Sequence, residues 1–192
     1  VRTRRIAALV VGLIVAVTLV SGCASQSPEA VETPEPAPTA DLSAEIQELP
    51  DGTRYVVHPD KLQSGGPPPD GIPSIDKPEY VSVTEADAWI QDNELVLALE
   101  YDGVTRAYPL QILVWHEIVN DTVNGKPILV TYCPLCGSGI AYERTLDGQA
   151  VEFGTSGQLY NSNLVMYDRV YGTLWTQIGG QAIIGELSGR LL

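Results

Sequence analysis

The chain has 192 residues and a formal net charge of −13, from 24 acidic and 11 basic side chains, with a pI near 4.4. That length permits one globular domain of ordinary size. Arg106, Lys126, Arg144, Arg169 and Arg190 are the whole basic complement of residues 81–192, so the sequence offers no electrostatic footprint for nucleic acid and no polybasic membrane patch.

Residues 1–5 (VRTRR) are basic, and Ile6 to Val20 form an unbroken run of low polarity. A charged head, an apolar run and small residues after it read as a secretory signal over 1–22. Fifteen residues at 1.5 Å each reach about 22 Å, short of the ~30 Å hydrocarbon core, which disfavours a permanent transmembrane helix. Val20-Ser21-Gly22-Cys23 resembles the bacterial lipoprotein box. That resemblance implies a lipidated Cys23 at the mature N-terminus and a chain anchored to the cell membrane on its extracytoplasmic side. Without the three arginines of the signal the net charge becomes −16 (−13 − 3).

Residues 23–45, which include ASQSPEAVETPEPAPTAD, lack aromatic side chains and are rich in Pro and Glu. Such a composition cannot bury enough apolar surface to offset ordering, so it reads as a disordered tether. Residues 46–80 read as a loop-rich lead-in, with LPDGTRYVVHPD expected to give one edge strand containing His58. A β-rich domain is expected over 81–192. Thr84 is the expected N-cap of a short helix running to about Asn93. Three strand–turn–strand units then follow: Leu95–Tyr101 with Val104–Tyr108, Ile118–Val123 with Pro127–Tyr132, and Ile140–Leu146 with Gln149–Phe153. Their turns are Asp102-Gly103, Asn124-Gly125 and Asp147-Gly148, which supply the positive φ values of a type I′ hairpin. PLQILVWHE (109–117) suggests one or two helical turns, and Leu164–Tyr167 and Thr173–Gln177 suggest further strands. The fold class expected is mainly β, an antiparallel sheet of successive hairpins with one or two short helices.

The three cysteines reduce to one chemical pair once Cys23 is assigned to the lipid. Ile128–Tyr132 delivers Cys133-Pro134-Leu135-Cys136 at a strand end, with the two sulfurs close enough for a disulfide or for two metal positions. One chemistry is thiol–disulfide exchange, since Cys-Pro-Leu-Cys is similar to the Cys-Pro-Tyr-Cys of glutaredoxins. Against a thioredoxin-type fold stand the poor helix-forming Gly-Ser-Gly after the motif and the lack of any proline beyond Pro134. A second is soft-metal binding by Cys133, Cys136 and His116, with His58 as the other imidazole and copper or zinc as the ions such donors suit. The third is a structural disulfide or two inert thiols, but so short a loop stabilises little.

Trp115-His116-Glu117, Asn120-Asp121, Thr131 to Gly139, Phe153 to Gly157 and Leu159 to Arg169, together with Trp175 and Gln177, resemble one family over about residues 76–192. That family is domain of unknown function 3179, found in extracytoplasmic bacterial and archaeal proteins. The resemblance implies no activity, cofactor or substrate. It implies a domain incomplete at its C-terminal end, because family members run on past the position of Leu192. Tyr160-Asn161-Ser162-Asn163 reads as a turn or as the polar wall of a ligand pocket. Trp175 and Gln177 are expected on one strand face of the same wall, and Asp168 and Arg169 as an ion pair. The leading expectation is therefore a membrane-anchored protein that binds copper or zinc through Cys133, Cys136 and His116. The alternatives are a thiol–disulfide oxidoreductase in which Cys133 attacks, and a module binding a small ligand or a protein, with incidental cysteines.

Overall fold

In the computed structural model of the protein, residues 45–192 are described and lie within one compact unit. The signal, Cys23 and most of the tether fall outside the described residues. Among the described residues no helix is long and apolar enough to cross a membrane.

The elements in chain order are β1 (Gln47–Glu48), β2 (Arg54–Tyr55), a 3-10 turn (Pro59–Lys61), β3 (Gln63–Ser64), α1 (Val83–Ala86), β4 (Val96–Tyr101), β5 (Val104–Pro109) and α2 (Leu110–His116). They continue as β6 (Ile118–Val123), β7 (Lys126–Cys133), β8 (Ser138–Glu143), β9 (Thr145–Leu146), β10 (Gln149–Ala150), β11 (Phe153–Tyr160), β12 (Asn163–Asp168), β13 (Leu174–Thr176) and β14 (Ala182–Ile184). All strand pairings are antiparallel. They form a seven-stranded sheet in the order β1-β2-β14-β13-β12-β11-β3, a three-stranded sheet β6-β7-β8, and the hairpins β4-β5 and β9-β10. The fold is a mainly β, antiparallel assembly with two short helices.

The three expected Asn-Gly and Asp-Gly turns are present, each with both residues at positive φ and the flanking residues paired: Tyr101 with Val104, Val123 with Lys126, Leu146 with Gln149. The third hairpin is shorter than the sequence suggests. Arg144 interrupts it, because its guanidinium turns inward and donates to the carbonyls of Asp121, Ile128 and Val151. Residues 138–143 instead pair with β7, and Phe153 opens β11. The first helix is also displaced. Ser82 rather than Thr84 is its N-cap, since only that register places Glu85 at the third position for a capping box.

The β6-β7-β8 sheet is covered on both faces, and strand alternation sorts its side chains. Ile118, Leu129 and Cys133 pack with Phe153, Met166 and Trp175 of the large sheet. Val119, Val123, Ile128 and Val130 pack with Tyr108, Leu113 and the β4-β5 hairpin. The other face of the large sheet is closed by the lead-in: Tyr55, Val57 and Leu62 lie on Val165, Ile183 and Ile184. Residues 47–64 therefore contribute three strands, and His58 lies just past β2, where its Nδ1 accepts from the Asp60 backbone N–H at 3.3 Å.

Buried carboxylates inside this frame are partnered. The buried Asp168 does not pair with Arg169. It accepts from the N–H groups of Val170, Tyr171 and Thr173 and from the Trp175 indole at 3.0 Å, which builds the β12–β13 turn. Arg169 faces the other way and pairs with Asp70, Asp76 and Glu152. Asp121, 3% exposed, is held by Arg106, Tyr108 and Tyr80. Burial alone would raise its carboxyl, but these donors outweigh it and hold the group below the ordinary carboxylate range.

Asp168→Ala should lower stability by about 3 kcal/mol, since a buried indole N–H and three backbone N–H groups lose their acceptor; chemical denaturation measures it. Asp121 has a depressed pKa in the fold, so its contribution is present above its unfolded value near 3.9 and lost as pH falls through the lower folded value. Asp121→Asn should accordingly flatten the acid limb of the stability–pH curve in denaturant titrations from pH 6 down to about 2.

Candidate functional site around Cys133 and Cys136

Strand β7 ends at Cys133 on the face that also carries Leu129 and Thr131, so its sulfur enters the core between the two sheets and the residue is 1% exposed. The chain then turns through Pro134–Gly137, with Gly137 at φ +62, and re-enters the sheet as β8 with Ser138 opposite Cys133. The turn lifts Cys136 to the surface. No helix follows the motif; β8 starts two residues after Cys136. A helix N-terminus therefore does not act on either sulfur, and the electrostatics come from burial and from neighbouring side chains and backbone N–H groups.

Three residues surround the Cys136 sulfur. Ser138 Oγ lies 3.0 Å away, and the Asn163 amide donates to the sulfur at 3.2 Å. Cys133 is the third, its carbonyl oxygen accepting from the Cys136 thiol at 3.8 Å. Gln177, fully buried, ties the set together. Its Oε1 accepts from Asn163 at 2.8 Å and from Ser138 at 2.9 Å, and its Nε2 donates to Thr131 Oγ1 at 3.0 Å and to the Ser138 carbonyl at 3.3 Å.

Two backbone groups fix which way these amides point. Thr131 gives its hydroxyl proton to the Ile140 carbonyl, so toward Gln177 it can only accept, which sets the Gln177 NH2 on that side. The Ile178 N–H donates to Asn163 Oδ1, so the Asn163 NH2 is the end aimed at sulfur. Burial on its own would raise the Cys136 thiol. The neighbouring Cys133, Ser138 and Asn163 outweigh it and hold the thiol below its ordinary value. For Cys133, burial and the contact with Cys136 both push the thiol up. The pair thus consists of an exposed sulfur whose thiol is held below its ordinary value and a buried sulfur whose thiol is pushed above it.

The sequence-derived site residues divide. Asn163 and Gln177 reach the cysteine pair. Asn161 and Ser162 form the two-residue turn between β11 and β12, both at positive φ, and the Ser162 carbonyl lies 4.0 Å from Cys133 Sγ. Tyr160 packs with Leu174 and Val165 on the opposite face of the large sheet, and Trp175 is a core side chain bound to Asp168. These six residues do not line one pocket. His116 closes α2, where its Nδ1 lies 2.8 Å from the Pro73 carbonyl. Among the described residues no group of three or more His, Cys, Asp or Glu side chains stands close enough to hold a metal ion, so His116 is not gathered with the sulfurs. Thr131 and Ser138 escape the sequence reading. Each sits two residues from a cysteine, on the strand face that the alternation already marks.

An open groove of about 580 Å³ lies elsewhere, between the Pro67-Pro68-Pro69 run and Ser156–Gln158, and no ionisable side chain lines it. The cysteine pair is the one place among the described residues where a nucleophile, a matched partner and pre-oriented donors meet.

No curated protein and no solved structure matches the chain. A family model does, and it begins at residue 69, which takes in the Asp70 and Asp76 carboxylates that Arg169 holds. On that match over residues 69–192, the chain belongs to the family described as protein of unknown function, DUF3179.

Proposed function

We propose that the protein carries out thiol–disulfide exchange, with Cys136 as the attacking sulfur and Cys133 as the resolving one. The observation that carries this reading is the asymmetry of the pair: an exposed sulfur with a fixed amide N–H aimed at it, backed by a buried thiol. This reverses the roles expected from the sequence. The Cys136 thiolate attacks one sulfur of a substrate disulfide, forms a mixed disulfide, and releases the other sulfur as a thiolate. Cys133 then gives up its proton and attacks Cys136, forming the Cys133–Cys136 bond and releasing the second substrate thiolate. Two electrons pass from the dithiol to the substrate, and the two thiol protons end on the released thiolates.

The same residues account for both halves of the cycle. As long as Cys136 is a thiol, Ser138 can donate to Gln177 and accept from sulfur. When the thiolate forms, the Ser138 hydroxyl can rotate to donate to sulfur at the same 3.0 Å separation, while Asn163 still satisfies Gln177 Oε1. The signal and the lipoprotein box support placing this chemistry at a membrane surface outside the cytoplasm, where protein disulfides persist.

Soft-metal binding is a second reading, favoured by two free cysteines joined across one tight turn. It is narrowed to copper(I), because a tetrahedral zinc site needs two donors beyond the thiolates.

Cys136→Ser should abolish exchange with a small disulfide, whereas Cys133→Ser should accumulate the mixed disulfide on Cys136, resolved by intact-mass measurement and peptide mapping. A mixed disulfide on Cys133 would overturn the assignment. Asn163→Ala should raise the Cys136 thiol, since one hydrogen bond to the charged sulfur is lost, read from the pH dependence of alkylation or of thiolate absorbance. Copper(I) titration against a competing chelator separates the second reading, which requires retention by the wild type and loss in Cys136→Ser.

A further inference from the structure

The three-stranded sheet has two edges, and they are treated differently. Backbone bonding alternates along β7. Tyr132 bonds toward β6, its N–H donating to the Glu117 carbonyl, and Pro127 bonds toward β8, its carbonyl accepting from the Arg144 N–H. By that alternation Ser138, Ile140 and Tyr142 bond β7, while the N–H and C=O groups of Gly139, Ala141 and Glu143 point away from it. On the β6 side the equivalent outward groups are used: Ile75 donates to the Ile118 carbonyl and accepts from the Asn120 N–H. On the β8 side no partner among the described residues meets them, and Gly139, Ala141 and Glu143 are all exposed.

Open edges are normally blunted by proline, lysine, a bulge or a covering segment. The β8 run Ser-Gly-Ile-Ala-Tyr-Glu has no proline or lysine and pairs with β7 without a register shift. It also begins beside the reactive sulfur. Three residues separate Cys136 from Gly139, at most about 10 Å of chain, and exposed Leu135 and Ile178 flank the same end.

Resting on the thiol-exchange reading, we propose that the substrate is an extended, disulfide-bearing segment of another polypeptide, which adds to β8 as a fourth strand and so presents its cysteine to Cys136. Pleating sets the register. Cross-strand neighbours share a face, and Cys136 meets Ser138 on the face that β8 turns toward the large sheet. The guest cysteine therefore lies opposite Ser138. Its immediate neighbours in sequence lie at the level of Gly139 and of the turn, and the guest residues at odd offsets from the cysteine are those that bond the outward groups of Gly139 and Ala141. Main-chain bonds supply the affinity, which makes the recognition tolerant of guest sequence. The exchange step is unchanged: Cys136 attacks the guest cysteine sulfur, and the leaving sulfur departs with the electron pair.

The test uses the wild-type protein and a short Thr/Val peptide whose central cysteine carries a thionitrobenzoate mixed disulfide, compared with the same mixed disulfide on glutathione. The peptide should react at least about tenfold faster, a difference of about 1.4 kcal/mol. N-methylation at the two residues next to the cysteine should remove that advantage, and N-methylation two residues away should not. Ala141→Pro, which loses only an outward N–H and so spares the β7 ladder, should lower the ratio of the peptide rate to the glutathione rate by the same factor. Equal rates for the peptide and both methylated forms would overturn the edge proposal and leave thiol exchange standing. No reaction with any of the four mixed disulfides would overturn both. A dimer in sedimentation that Ala141→Pro dissolves would assign the edge to a second copy of the chain and overturn the proposal.

Discussion

A side-chain amide with no exposed surface must find its partners inside the protein, and Gln177 finds four: Thr131 and the Ser138 carbonyl for its NH2, Ser138 and Asn163 for its oxygen. Those partners belong to β7, β8 and β12, while Gln177 itself follows β13, so one amide joins the small sheet to the large one. Leaving such a group unpaired would cost 1–3 kcal/mol, on the scale of ~5–15 kcal/mol that holds a whole domain together. The two sheets therefore cannot slide past each other without breaking this set, and the Cys136 environment inherits its rigidity. The site is an outcome of how the sheets are pinned rather than an addition to them.

Thr131 and Ile178 show how that pinning acquires direction. An amide can be turned end for end with little change in shape, and a turned Asn163 would present an oxygen to the sulfur and disfavour the thiolate. The Ile178 N–H and the Thr131–Ile140 bond remove that freedom from the backbone side. A donor fixed in this way costs no reorganisation when charge forms on sulfur, which is the condition under which electrostatic stabilisation is most effective.

Much of the fold is legible in the residues. Asp102-Gly103, Asn124-Gly125 and Asp147-Gly148 mark hairpins because only a backbone at positive φ closes a two-residue turn with the right twist. The fourth such turn, Asn161-Ser162, lacks glycine and hides in a polar stretch that equally suits a ligand wall. The interruption at Arg144 is invisible locally, since it depends on carbonyls of residues 121, 128 and 151. The lead-in strands are short and draw their stability from β11 and β14, more than 90 residues downstream, so nothing in 46–80 itself announces them. At the site, the cysteine pair and Gln177 are readable from scarcity and strand parity. The reversal of roles is not, because which sulfur is buried depends on the facing sheet and not on the order of the two cysteines.

On the thiol-exchange reading, the burial asymmetry also sets the direction in which the pair works. Stabilising the Cys136 thiolate raises its share at any given pH and lowers its intrinsic nucleophilicity only in part, so attack gains. The same stabilisation makes Cys136 the better leaving group whenever Cys133 is approached, and it favours the reduced pair over the disulfide. Access opposes that route: Cys133 lies behind the loop, with Leu129, Phe153 and Leu164 in the cluster around it, and an external thiol can reach only Cys136. Attack there must expel Cys133 as a buried thiolate, which its raised pKa disfavours. Thiolate stabilisation thus speeds the first attack by Cys136 without making the pair a stronger reductant, and re-reduction of the internal disulfide is slowed unless a partner delivers a proton to Cys133. The burial that makes Cys133 a poor first nucleophile makes it, once internal, a resolving sulfur that outside thiols cannot intercept.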